Sequence, residues 1–291
     1  MTTVERVDQL LREFRRRHPD ALAECGRWTE ERSRVDWSDW CWLPMAAVHA
    51  YLSASGPYHP ADLGRVTALT QWRLSRGVYE VDPAVVDLAV TELWTTAGGP
   101  DQWMHATVPP LRVWTGLREW CSYVAWPADA TIAGLTIGVM PAPVGVFVHL
   151  EHDMNTGRPE VRLLVDTDGT WDGLYPAAIY PDRPTLGAAL ADQQANTLAS
   201  LAGAVGADVR SLTGPSDLTA QLGLVAWLVL PLALTLIDPA VRLRNPASLD
   251  PPCRAERRGP LWRPATSTTT WTITYDSRPT LRLVPDPVPE S

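Results

Sequence analysis

The chain has 291 residues, 45% hydrophobic and 20% charged, a balance that excludes wholesale disorder and supplies enough apolar side chain for a large core. Its 25 basic residues, all arginine, are outnumbered by 33 acidic ones, for a formal charge of −8; such a chain is not built for a general grip on nucleic-acid backbone. The arginine-only complement reads as the codon usage of a GC-rich, actinobacterial type of genome, and the 27 prolines predict short, interrupted elements.

Fourteen tryptophans against two phenylalanines put most aromatic burial on indoles, each with an N–H that needs an acceptor. Cys25, Cys41, Cys121 and Cys253 are too widely spaced for a C-x-x-C zinc or redox motif, so free thiols are expected. The opening MTTVERVDQLLREF carries charge throughout and lacks the apolar run of a secretory signal, which points to a cytoplasmic protein.

Val4, Val7, Leu10, Leu11 and Phe14 recur at helical spacing, predicting a helix that Arg15, Arg16 and Arg17 close against the macrodipole and Pro19 ends. Leu43-Pro44 predicts a helix start, with proline in the first turn and Met45, Val48 and Leu52 on one face. Leu63, Val66, Leu69, Trp72 and Arg73 predict another, with Gly77 as its left-handed closing residue. Val78, Tyr79 and Val81 read as a short extended link. Asp82-Pro83 then opens a helix through Val85, Val86, Leu88, Val90 and Leu93.

After Gly98-Gly99-Pro100 the pattern changes: short apolar runs at Leu111 to Trp114, Trp120 to Trp126 and Ile132 to Val139 predict strands. A hairpin is predicted between 144–150 and 160–165 across Asn155, Thr156, Gly157 and Pro159. Thr185 to Val205 reads as a helix. The apolar run from Leu222 to Ile237 contains Pro231 and is flanked by Asp217 and Asp238; shorter than the roughly 20 residues of a bilayer span, it predicts a buried, proline-kinked helix within about 218–237. Trp271 to Tyr275 and Leu281 to Val284 read as terminal strands. The expected fold is one α+β domain over 1–285, helical to about residue 97 and mixed from about 100, with 286–291 a frayed tail.

His149, His152 and Asp153 carry metal-ligand chemistry, but on a strand 149 and 152 face opposite ways and no third ligand is near, so they read as a solvated hairpin end. Asp166-Thr167-Asp168-Gly169 with Asp172 has oxygen ligands spaced as in a calcium loop, without its third early ligand or closing glutamate. An Asx-type turn is the plain reading, with an acidic rim for a basic peptide, or a metal loop, as the alternatives. Serine nucleophile elbows, phosphate loops, H-E-x-x-H and Rossmann glycines are missing. No catalytic residue, metal or cofactor is assigned.

In order and separation, Trp72-Arg73, Gly77-Val78-Tyr79, Asp82, Glu119-Trp120-Cys121-Ser122-Tyr123-Val124, Leu164-Val165-Asp166-Thr167-Asp168 and Tyr175-Pro176 resemble a type V-A anti-CRISPR family found on phages and plasmids. The resemblance runs from near Leu69 through Ile237-Asp238-Pro239, while the N-terminal helix differs and much of the family's basic, histidine-rich tail is missing. It implies a non-enzymatic protein that recognises the N-terminal part of a nascent type V-A CRISPR effector nuclease and provokes loss of the message. Ribosome and mRNA would be met only indirectly, with no sequence-specific nucleic-acid contact and no membrane. A peptide reader needs a groove with aromatic walls and a few selecting charges. On that reading Trp72, Arg73, Tyr79, Trp120 and Tyr123 line or support the groove, and Asp166 and Asp168 meet basic side chains. Two other classes compete: a metal-dependent hydrolase or nuclease gathering Asp153, Asp166, Asp168 and Asp172 around a divalent ion, and a membrane-associated maintenance protein using Leu222 to Ile237.

Overall fold

The computed structural model describes residues 1–30, 37–86, 103–127, 143–205, 229–245, 247, 251–257 and 262–275. Helix α1 (Thr3–Arg17) starts on a capping box, in which the Thr2 hydroxyl accepts the Glu5 amide and the Glu5 carboxylate accepts the Thr2 amide. It buries Val7, Leu10, Leu11 and Phe14 as the periodicity requires. Three further helices follow, α2 (Ala21–Trp28), α3 (Met45–Ser55) and α4 (Pro60–Ser75). Pro44 caps α3 from outside instead of sitting in its first turn.

Seven strands form one mixed sheet: β1 (Gly77–Val81), β2 (Cys121–Ala125), β3 (Gly145–His152), β4 (Pro159–Asp166), β5 (Leu174–Ile179), β6 (Val241–Arg244) and β7 (Thr269–Tyr275), in the order β5-β4-β3-β2-β1-β7-β6. Interior β1 pairs parallel with β2 and β7, and the other neighbours pair antiparallel. The four-residue helix α5 (Leu111–Trp114) lies in the connection from β1 to β2, and α6 (Leu186–Val205) follows β5.

Side chains alternate across the sheet, so each strand feeds two cores. Val78, Cys121, Tyr123, Phe147 and Leu164 pack beneath α1 to α4 with Trp42, Leu69 and Trp72. Tyr79, Val124, Val146, Val148, Val161, Leu163 and Val165 face the other way, onto Leu186, Ala189 and Leu190 of α6 and onto Val229, Leu230 and Leu232 of the helical stretch 229–235. This is the expected α+β class, with the predicted hairpin formed in a register pairing Val148 with Leu163. Indoles do anchor both cores: Trp42, Trp72, Trp114 and Trp171 are fully buried, and three of them donate, Trp72 to Gly77 O, Trp114 to Pro109 O and Trp171 to Asp62. None of the four cysteines forms a disulfide, as their spacing predicts.

Several expectations are corrected. The left-handed residue ending α4 is Arg76, at φ 54° and ψ 37°, a conformation its side chain helps to hold by bonding Asp8, Thr268 and the Thr266 carbonyl. Gly77 opens β1 instead, where the Glu119 carboxylate occupies the space a Cβ would need. The presumed link at 78–81 is an interior strand, because β2 and β7 bring it partners from far along the chain. Leu111 to Trp114 is helical, not extended; Pro109-Pro110 fixes its start, and a four-residue apolar run has no periodicity to separate the two states. The predicted segments at 87–100, Ile132 to Val139, Leu222 to Leu228 and Leu281 to Val284, and the tail at 286–291, lie outside the described residues. Among the described residues, no helix is long and apolar enough to cross a membrane.

Gly77→Ala drives a methyl group into buried Glu119 and is expected to lower stability by about 1–3 kcal/mol, read as a lower urea midpoint at unchanged m-value. An unchanged midpoint contradicts this packing.

Candidate functional site

On β3 and β4 the face turned to α1–α4 is apolar at one end, with Phe147 and Leu164, and charged toward the connecting turn. The register sets His149 opposite Arg162 and Glu151 opposite Glu160. His149 is 1% exposed and both glutamates 0%. His149 Nε2 bonds Glu151 Oε2 at 3.0 Å, and Arg162 Nε donates to Glu160 Oε1 at 2.5 Å. The Arg162 Nη2 also reaches the Met45 sulfur at 3.2 Å. His149 Nδ1, Glu151 Oε1 and Glu160 Oε2 are buried without a hydrogen-bond partner.

Burial dominates the electrostatics of this ladder. It pushes the Glu151 carboxyl up to about 8 and that of Glu160 up to about 7, against the opposing pull of Arg162. Burial, reinforced by Arg162, drives His149 down to about 3. The imidazole is therefore neutral at pH 7, and the facing carboxyls titrate together near neutrality.

A cavity of about 990 Å³ opens over the charged end of the hairpin, with Glu160 and Arg162 of β4 and Pro176 and Ala178 of β5 in its lining. Met45 and His49 of α3, Tyr58 of the α3–α4 connection, Met154 of the β3–β4 turn, and Tyr180, Gln193 and Asn196 complete much of the wall. Gly64 lets α4 approach β5 at the cavity edge, since a Cβ there would stand 2.8 Å from that of Pro176. Asp153 holds the turn: its carboxylate accepts from Tyr180 Oη at 2.9 Å, from the Asn155 and Thr156 amides and from the Thr156 hydroxyl. Burial opposes ionisation of Asp153, yet these bonds outweigh it and keep the carboxyl below its ordinary value. Asn196 Nδ2 donates to Tyr180 Oη at 2.5 Å, the Arg158 guanidinium lies 4.4 Å from the centre of the same ring, and His49 Nδ1 bonds the Tyr58 hydroxyl.

None of the residues singled out for a peptide groove lines this cavity. Trp72 and Tyr123 meet edge-on around Phe147, at 5.6 and 4.7 Å between ring centres, and both are buried. Tyr79 is buried in the core on the opposite face of the sheet. Asp166, 0% exposed, accepts from Tyr123 Oη and from the Asp168 and Gly169 amides. It is the Asx turn of the plain reading, with Gly169 at φ 78°, and not part of an accessible acidic rim, because both carboxylate oxygens are taken up inside the fold. Asp168 is exposed, with Oδ1 bonded to Thr170. Arg73 is half-buried on α4, and Trp120 is half-buried, donating to Ala255 O with Arg254 over its ring.

The solvated hairpin end is also corrected: His149 and Asp153 are buried, because α3 and α6 extend over the turn. Charged residues alternating at 149/151 and 160/162 within an apolar hairpin were the readable signal for the site. Among the described residues, no group of three or more His, Cys, Asp and Glu is placed to hold a metal ion; Asp153 and Asp166 stand at opposite ends of the hairpin.

Residues 79–287 match the model of the AcrVA2-like family, the anti-CRISPR type V subtype A2 family. The chain belongs to this family. The matched segment takes in nearly the whole of this anti-CRISPR sheet, hairpin ladder included, and begins after α4. The fold is similar to a solved structure titled "Crystal structure of AcrVA2", with a TM-score of 0.61 and 16% identity over 92% of this chain and 84% of that one. No curated protein sequence matches the chain.

The ladder makes a pH-dependent prediction for this AcrVA2-like protein. Folding raises the Glu151 carboxyl from 4.5 to about 8, so the stability tied to its protonation is whole below about 4.5 and lost as pH rises through about 8. Glu151→Gln keeps a partner for His149 and removes that loss. The variant is expected to match the parent near pH 5 and to exceed it by about 1–3 kcal/mol at pH 9, measured by urea unfolding at both pH values. Glu119, pushed up to about 7 by burial, titrates in both proteins and cancels in the difference. A gap independent of pH contradicts the assignment.

Proposed function

We propose that this anti-CRISPR protein acts by binding a polypeptide, the N-terminal part of a type V-A CRISPR effector nuclease as it is synthesised, and so lowers expression of the nuclease. Membership of the AcrVA2-like family over residues 79–287 carries this reading, since an anti-CRISPR function implies a protein target in the host's defence. The reading extends to a phage- or plasmid-borne protein working in the cytoplasm, in contact with the translating ribosome and its mRNA only through the nascent chain. Catalysis has no part in it: loss of the message falls to host enzymes acting on a stalled or marked ribosome.

The cavity above the β3–β4 ladder is the docking place the geometry favours, for it combines volume, apolar wall and buried charge. Within this reading Trp72, Tyr79, Tyr123 and Asp166 support the sheet from inside, while Arg73, Trp120 and Asp168 remain candidates for contact at the surface.

Pull-down of the tagged protein from translating cells, with sequencing of the attached RNA, tests the reading. Enrichment of the effector message that disappears after puromycin releases nascent chains is the expected result. Enrichment that survives puromycin, or cleavage of naked target RNA by the purified protein, refutes it.

A further inference from the structure

The cavity's hydrogen-bonding groups are out of balance. Glu160 Oε2 and Gln193 Oε1 are buried acceptors with no partner, and both residues line the cavity although 0% and 7% exposed. Three donors of the lining are committed elsewhere: Asn196 Nδ2 to Tyr180, Tyr180 Oη to Asp153, and Arg162 Nε to the other oxygen of Glu160. An acceptor sealed from water without a partner costs about 1–3 kcal/mol, so two of them in one lining mark a place completed by a donor from outside. Asp153, kept ionised at the turn, adds negative potential, and an anionic ligand would meet Glu160 and Asp153 despite Arg162.

We infer that the cavity receives one arginine side chain of a bound polypeptide, whose guanidinium donates to Glu160 Oε2 and Gln193 Oε1 while its stem packs on Met45, Met154 and Pro176. A guanidinium fits better than an ammonium, because it is planar, weakly hydrated, forks several donors from one charge and stacks on aromatic rings such as Tyr58. Glu160 then bridges two guanidiniums, Arg162 on Oε1 and the guest on Oε2, using both oxygens of a carboxylate that the isolated protein half-satisfies. The polypeptide source of the guest rests on the function proposed above; the chemistry of the receptor does not.

Titration calorimetry with N-acetyl-arginine amide, compared with the N-acetyl-citrulline amide that keeps the shape and loses the charge, tests the receptor. The arginine probe is expected to bind the parent at least about tenfold more tightly than the citrulline probe. Glu160→Gln should lose about tenfold or more of the arginine affinity at unchanged circular dichroism, and Gln193→Glu, which adds a charge at the second acceptor, should gain several-fold. Equal binding of the two probes, no binding of either to the parent, or unchanged affinity in both variants overturns the inference and leaves the nascent-chain reading standing. Glu160→Gln that loses the arginine probe yet still enriches the effector message overturns the polypeptide source of the guest alone.

Discussion

The register of β3 against β4 is the constraint on which the rest of the molecule depends. A period of two gives each strand only two choices of face, so one residue of slip would turn over one strand of the pair, carrying either His149 and Glu151 or Glu160 and Arg162 into the core shared with α6 and turning Val148, or Val161 and Leu163, onto the side of α1–α4. With the observed register the valines and leucines of the hairpin are buried among their kind, and His149, Glu151, Glu160 and Arg162 gather at one end of one face. Over Phe147 and Leu164 the helices pack directly on the sheet, whereas at the charged end the space between α3, α4 and the hairpin turn is the cavity.

Such a ladder is not there for stability. Two carboxyls facing each other out of water, with one guanidinium and a neutral imidazole beside them, cost more to bury than they return, and apolar residues of the same volume would hold the strands at least as well. The fold carries this charge on rigid supports. Asp153 is fixed by its turn and by Tyr180, Tyr180 by Asn196, and Arg162 by Glu160 and the Met45 sulfur. A site whose charges are held by other side chains undergoes little rearrangement when a guest arrives.

Much of the fold was legible in the sequence: α1 and α4 fall where helical spacing puts them, the β3–β4 hairpin where two apolar runs flank turn residues, and α6 where the run of helix-forming residues lies. Legibility ended where distant residues decide. Arg76 takes the left-handed position because Asp8 and Thr268 hold its side chain, and Gly77 is glycine because Glu119 arrives from the far end of the β1–β2 connection. The family was readable from the order of short motifs, but those motifs mark framework. Trp72, Tyr123 and Asp166 interlock beneath the helices and leave the cavity to residues whose only local sign is charge at every second position of an apolar strand.

Photo-crosslinking from inside the cavity tests most directly whether this face meets the target. With p-benzoylphenylalanine in place of Tyr58, at the wall, and separately in place of Trp28, 45% exposed on α2 and outside the cavity lining, illumination of translating cells should join position 58, and not position 28, to the N-terminal segment of the effector polypeptide. Crosslinks from position 28 alone, or none from position 58 while the message is still lost, would mean that the target is read elsewhere on the molecule.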